Sequence, residues 1–192
     1  MAHHDHAMMD ENMTAGQVKR YDRTAGIFGF AYARLAKNAL DGVPGDALVA
    51  DIGAGPGQLG SAVASFRNDV RVVGVDPSPE MVKRCNARLR RFGDRASARV
   101  GAAERLPFAD DEVDLVVATF SLHHWVDAAA AAQEIRRVLA PGGVARIYDF
   151  HSSDFAALQR SFAPNATPLA PTRFALTPLG FPALSVIELT HP

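Results

Sequence analysis

Residues 48–60, LVADIGAGPGQLG, set an apolar run against glycines at 53, 55 and 57 and then open a helical pattern. A short apolar run, a turn of glycines and a helix together describe the first half of a strand–turn–helix unit. Glycine in the turn admits left-handed backbone and lets other atoms approach closely. Such a unit demands a parallel sheet whose strands are covered on both faces, because the chain must return over the sheet before it can pair again. The fold is thereby narrowed to α/β.

The rest of the chain supplies the same alternation. Strands are expected at Ala47–Asp51, Val70–Val75, Ser97–Gly101, Val113–Phe120 and in VARIYDF at 144–150. Helices are expected over Gly57–Phe66, Ser78–Phe92 and Asp127–Leu139, the last stopped by APGG at 140–143. Before this core, Ile27, Phe30, Ala31, Leu35, Ala39 and Leu40 share one helical face, closed by Gly42 and Pro44. Beyond it, residues 151–162 read as a helix. Six of the twelve prolines then fall between Pro164 and Pro192, so little of that tail can be regular. Only LSVIELT at 184–190 reads as a strand, added to the sheet at an edge or beside strand five and expected to be antiparallel. The expected architecture is a Rossmann-like, doubly wound, mostly parallel sheet with helices on both faces.

A chain of 192 residues with 48% apolar residues suits one domain. The expected organisation is a loose arm at 1–18 and a single domain at 19–192. That domain divides into an N-terminal helical lid at 20–42, a core at 46–150 and a shortened proline-rich part at 151–192. With 20 basic and 21 acidic residues, no whole-molecule field draws in nucleic acid or an anionic membrane. The basic set Lys83, Arg84, Arg88, Arg90, Arg91, Arg95 and Arg99 reads as a solvated helix face. One cysteine, Cys85, excludes an internal disulfide framework and fits a reducing compartment. No apolar run approaches the ~20 residues of a membrane span, and a cytoplasmic protein is expected. His3, His4 and His6, and the set His123, His124, Asp149 and His151, lack diagnostic metal-ligand spacing, so no metal is expected.

The glycine turn also indicates the ligand. Backbone N–H groups at a strand-to-helix turn face a bound molecule, and Asp76, at the end of strand two, is placed to accept hydrogen bonds from ribose hydroxyls. GPGQLG at 55–60 satisfies the GxGxxG dinucleotide fingerprint as well. Asp51 weighs against that reading, since a carboxylate ahead of the glycines repels a pyrophosphate and suits a cationic amino acid moiety.

With DIGAGPG, Asp76, GAAERLPFADDEVDLVVATFSLHHW at 101–125 and EIRRVLAPGGVARIYDF at 134–150, the chain resembles the class I S-adenosylmethionine-dependent methyltransferases over residues 20–150. That resemblance implies S-adenosyl-L-methionine as cofactor. It sets Asp51, Gly53, Ala54 and Gly55 at its amino acid part, Asp76 at the ribose, and Pro77 and Met81 against the adenine. Ala103 and Glu104 would face the adenine edge, and the backbone of Thr119 and Phe120 the amino acid end. Many relatives carry Asp where this chain has Ala102. On the acceptor side it implies His124 beside the reacting centre, with Tyr148, Asp149 and His151 completing the crevice.

The motif after strand four reads FSLH, not the Asn/Asp-Pro-Pro-aromatic of exocyclic base methylation. Nucleic acid is therefore a minority reading, and a small, apolar methyl acceptor is expected. Two rival readings stay open: a non-catalytic or regulatory S-adenosylmethionine-binding protein, and an NAD(P)-dependent oxidoreductase resting on GPGQLG alone.

Overall fold

The computed structural model describes residues 29–162, 171–175 and 183–191. The expected arm at 1–18, the part of the 20–42 lid before Gly29 and much of the proline-rich tail lie outside the described residues. Helix α1 (Gly29–Ala39) leads to strand β1 (Leu48–Ile52), helix α2 (Gln58–Phe66), strand β2 (Arg71–Asp76) and helix α3 (Pro79–Leu89). There follow β3 (Ala96–Val100), β4 (Val113–Thr119), α4 (Ala128–Val138), β5 (Leu139–Asp149), α5 (Phe155–Phe162), β6 (Thr172–Ala175) and β7 (Ala183–Thr190).

The strands lie in the order β3-β2-β1-β4-β5-β7-β6. All pairings from β3 to β5 are parallel, whereas β7 runs antiparallel to both β5 and β6. All five residues of β1 are buried, as are five of the six in β2. That is the mark of central strands covered on both faces. One face packs Leu35, Ala39, Leu59, Val63 and Leu89 of α1–α3 against Val49, Val72 and Val117. The other packs Ile135 and Val138 of α4 and Leu158 and Phe162 of α5 against Val116, Ala118 and Ile147.

The chain steps outward from β1 to β2 and β3, then crosses back to β4 on the other side of β1. The strand order therefore reverses between β1 and β4, the position where open α/β sheets hold their ligands.

Several local signals act as read. Asp127 caps α4, its Oδ1 accepting from the N–H groups of Ala129 and Ala130 at 2.9 and 3.0 Å. Ser78 caps α3 through Met81 N–H. Other boundaries move. The α-helix after β2 stops at Leu89 and tightens into a 3₁₀ turn over Arg90–Arg95, broken by Gly93 at φ 62°. APGG does stop α4, but the chain already pairs from Leu139, and a register shift between Val113 and Leu115 absorbs the Pro-Gly-Gly step. The helix expected from 151 begins at Phe155, with Asp154 Oδ1 accepting from Ala157 N–H at 2.9 Å. Strand β6 was not foreseen. It is a four-residue edge strand between prolines and pairs on one side only.

Arg146 ties the antiparallel half to α1. Its guanidinium meets Glu188 at 2.7 Å and donates to the carbonyls of Ala39 and Asp41, both at 2.7 Å. These carbonyls lie in and just past the last turn of α1, where a cation is favoured. Arg146→Met is expected to lower stability by about 2 kcal/mol, read as an earlier urea midpoint at unchanged slope. No helix among the described residues is long and apolar enough to cross a membrane.

Candidate active site

The turn from β1 into α2 is left-handed three times, at Gly53 (φ 71°), Gly55 (φ 51°) and Gly57 (φ 82°). An L side chain resists this region. Val75 O, at the end of β2, accepts from both Gly53 and Ala54 N–H, at 2.8 and 3.0 Å. The loop is therefore stitched to β2 on one side. On the other, Ser121 Oγ donates to Ile52 O at 2.9 Å, fastening the turn after β4 to the end of β1. Space is equally tight: a Cβ at Gly53 would lie 2.4 Å from Ser121 Cβ, and one at Gly57 would lie 2.7 Å from Cys85 Sγ. Burial pushes that thiol up to about 12, with Asp51 and Asp76 adding to the shift, so Cys85 is an inert packing group.

Two carboxylates sit beneath this loop. Asp76, 6% exposed, closes β2 and accepts from Gly55 N–H through Oδ2 at 2.8 Å and from Ser78 N–H through Oδ1 at 2.9 Å. It holds the glycine loop and the start of α3 in one frame. Burial raises its pKa, and the two N–H bonds oppose the rise. Asp51, 1% exposed, turns under the first turn of α2, where Oδ2 accepts from Gly60 N–H at 3.1 Å. Burial raises its pKa to about 7, against the Gly60 bond and helped by the charge of Asp76. Pro77 is exposed at the rim, and Met81 is buried below it.

The turn after β3 brings in the third strand end. Ala103 is buried in the core cluster under α4. Glu104 Oε1 accepts from Val126 and Asp127 N–H at 2.9 and 3.1 Å, so this carboxylate joins the β3 turn to the entry of α4. At the end of β4, Thr119 is buried and Phe120 stands at φ 55°, its N–H donating to Tyr148 O at 2.9 Å. A left-handed phenylalanine is strained, and such strain clusters at functional sites. Here it sets the Phe120 ring among Tyr32, 6.5 Å away, and Phe150, 5.7 Å away.

The expected acceptor-side set divides. Tyr148 does not face the mouth: it is fully buried on the α1 face, and its hydroxyl donates to Asn38 Oδ1 at 2.6 Å. Burial raises its pKa further, which removes it as a base. His151 is exposed and meets Ser185 Oγ of β7 through Nδ1 at 3.0 Å. Asp149 is fully buried at the end of β5, and its partner is His123: Oδ1 lies 2.8 Å from His123 Nδ1, and Oδ2 accepts from His123 N–H at 3.1 Å. His124 is exposed, with its ring 3.9 Å from that of His123 on the 3₁₀ turn Leu122–His124. Asp149 therefore pairs with the first histidine of the doublet. Sequence reasoning also passed over Ser121 and Phe150, whose parts are visible only once β1, β4 and β5 are side by side.

Residues 50–147 match the methyltransferase domain family, and the chain belongs to it as a class I S-adenosylmethionine-dependent methyltransferase. An uncharacterized methyltransferase of Mycobacterium tuberculosis is 42% identical over 95 residues, 50% of this chain and 36% of that one. A provisionally assigned S-adenosyl-L-methionine-dependent methyltransferase from Methanococcus maripaludis superposes with a TM-score of 0.67 at 27% identity, over 81% of this chain and 73% of that one. The YcgJ protein of Bacillus subtilis gives 0.57 at 30% identity, over 67% and 53%. The chain spans about a third of the length of the first curated relatives it matches.

S-adenosylmethionine is the family's cofactor, and the residues fit it. Two buried carboxylates, Asp51 and Asp76, beside a left-handed glycine turn with no room for a Cβ at Gly53 or Gly57, are chemically compatible with a ribose-bearing, cationic ligand.

Proposed function

We propose that the chain transfers a methyl group from S-adenosylmethionine to a small, apolar acceptor by direct displacement. The observation that supports this reading is the glycine turn after β1, left-handed at Gly53, Gly55 and Gly57 and held by two buried carboxylates, Asp76 through Gly55 N–H and Asp51 through Gly60 N–H. Bound there, the cofactor would supply an electrophilic methyl on a sulfonium sulfur.

The chain's own contribution is chiefly placement. Asp76 is the ribose-holding carboxylate, kept rigid by Gly55 and Ser78 N–H. Gly53, Ala54 and Gly55 line the amino acid part, with Asp51 biasing the local field toward a cation. Pro77 and Met81 form the adenine wall, and Ala103 with Glu104 the adenine edge. Glu104 Oε1 is already engaged by the α4 entry, so the backbone at Ala103 carries more of that contact than the side chain does. Thr119 and Phe120 close the crevice from the β4 side. The aromatic rim of Tyr32, Phe120 and Phe150 supports an apolar acceptor.

Calorimetric titration with S-adenosylmethionine, S-adenosylhomocysteine and NAD tests the reading. Both sulfur nucleotides are expected to bind. Binding of NAD alone would dispose of the proposal. Asp76→Ala is expected to weaken S-adenosylmethionine by about 2–4 kcal/mol, roughly 30- to 800-fold, for the loss of charge-assisted bonds to the ribose and of the loop's anchor. An unchanged affinity removes the ribose assignment.

A further inference from the structure

We infer that the groove between α1 and α2, flanked on the α3 side by Arg88 and Arg91, binds a small phosphate ester whose organic part is flat or apolar. The site is separate from the cofactor turn and stands whether or not the chain transfers methyl groups.

Helix α2 has two faces with different work. Leu59 and Val63 belong to the core, and Gly60 lies against the sheet, where an added Cβ would stand 3.4 Å from Val72 Cγ1 and 3.6 Å from Asp51 Oδ2. Gln58, Ser61, Ala62 and Ser65 recur at the spacing i, i+3, i+4, i+7, which sets them together on the other side. With Tyr32 and Ala33 of α1 they line a groove of about 410 Å³. That volume suits a small ligand.

The groove is cationic. Arg88 and Arg91 line it, and no carboxylate stands among its described lining residues. Arg88 Nε donates to Pro56 O at 2.7 Å. The partners of Arg91 are all neutral: Nη2 donates to Ser61 Oγ at 2.9 Å and to Ser65 Oγ at 3.2 Å, and the guanidinium lies 4.6 Å from the centroid of the Phe92 ring. Nε and Nη1 of Arg91 meet no acceptor among the described residues, and Ser61 Oγ, which accepts from Arg91, keeps its own proton to give. The chain around them repeats the sign. Between Glu80 and Arg99 there are seven arginines and lysines against two carboxylates, although the whole chain carries −1. Along the sequence these cations suit a solvated helix face; in the fold, two of them border a cavity, and the local field draws an anion there.

The donors select the head group. A carboxylate presents two oxygens in one plane, whereas a phosphate ester presents its oxygens around a tetrahedron. The planar fork of Arg91 and the hydroxyl of Ser61 reach an anion from different directions, which the tetrahedral group satisfies better. The other walls select the body. Phe66, 55% exposed at the end of α2, faces the same groove as Tyr32 and Ala62, and such surface covers a ring or a short apolar chain.

Phenyl phosphate is the probe, titrated into the full chain by calorimetry and followed by amide shifts in ¹⁵N-labelled protein. Binding is expected with a Kd of roughly 0.1–1 mM. Phenol and inorganic phosphate, each with half of the recognition, are expected to bind at least about 10-fold more weakly. The largest shifts should fall at Ser61, Ser65, Phe66 and Arg91. Arg91→Gln is expected to weaken the ester about 10- to 100-fold, and Arg91→Lys, which keeps the charge and loses the fork, by several-fold. Arg90→Gln removes a neighbouring exposed cation that does not line the groove, and should change affinity less than about 2-fold. Phe66→Ser leaves both arginines in place; it should weaken phenyl phosphate and spare inorganic phosphate. No binding up to about 10 mM, or shifts centred on Asp76 and Ser78, would overturn the site. Equal losses in Arg90→Gln and Arg91→Gln would reduce it to a general field, and inorganic phosphate bound as tightly as the ester, or Phe66→Ser without effect, would overturn the apolar part of the ligand.

Discussion

Gly53→Ala is expected to cost roughly 2–5 kcal/mol of stability, the sum of a left-handed backbone penalty and of overpacking. The position sits at φ 71°, and the added methyl would lie 2.4 Å from Ser121 Cβ and 2.8 Å from Ser121 Oγ. Ser121 has little room to retreat, because its hydroxyl is fastened to Ile52 O and its residue is 6% exposed. The two turns that bound the crevice would have to separate. Cofactor affinity should fall along with the urea midpoint, since the same movement withdraws the loop from Asp76.

The double variant Gly53→Ala/Ser121→Gly separates the causes. Removing the Ser121 side chain relieves the clash but not the backbone strain, so it should recover the overpacking share, about 1–3 kcal/mol. A Gly53→Ala protein as stable as wild type would refute the packing argument. A double variant no better than the single one would place the whole effect in the backbone.

Why this turn was legible from residues alone, and the acceptor mouth was not, follows from the range of the interactions. Asp51, the three glycines and Gly60 lie within ten residues, and the meaning of each is local: left-handed turns need glycine, and a carboxylate at a strand end meets the next helix. β1, β2 and β4 announce themselves as largely apolar runs because both faces are buried. β6 makes no such signal, being four residues long, paired on one side and set between prolines. Leu139 was read as the end of the helix and Ala140–Gly143 as its stop because Pro-Gly-Gly suggests a turn, whereas the pairing of Leu139 with Val113 depends on where β4 lies.

The mouth is a matter of parity and of contacts across the chain. Adjacent residues of a strand point to opposite faces. Tyr148 and Asp149 therefore never shared the crevice: one fills the α1 face, and the other reaches the β4 turn. Choosing between His123 and His124 required the 3₁₀ geometry of their turn and the position of a carboxylate 26 residues away. No periodicity encodes that distance.

The buried Asp51 makes a further prediction, in stability against pH. Its carboxyl titrates near 3.8 when solvated and at about 7 in the fold, because burial penalises the charge more than the Gly60 bond favours it. Between those values the folded chain holds a proton that the unfolded chain has released, so stability falls as pH rises. The contribution is whole below about pH 4 and gone above about pH 7. At about 1.4 kcal/mol per unit, the span is on the order of 4 kcal/mol.

Other carboxylates do not mask this window. Glu134 and Asp69 are held below their ordinary values by hydrogen bonds from Arg137 and Arg67, so they change charge only at lower pH. Asp76 shifts in the same sense as Asp51 and adds to the slope. Urea unfolding of the cofactor-free protein at pH 5, 6, 7 and 8 is expected to show stability falling from pH 5 to pH 7 and levelling toward pH 8. Asp51→Asn, which keeps an acceptor for Gly60 N–H without the charge, should flatten most of that slope and exceed wild type at pH 8. A flat wild-type profile, or an equal slope in the variant, would reject the assignment. The gain is expected to come with weaker S-adenosylmethionine binding, because the proposed function sets the Asp51 charge toward the cofactor's cationic amino acid part, and the amide removes that charge while keeping the Gly60 bond.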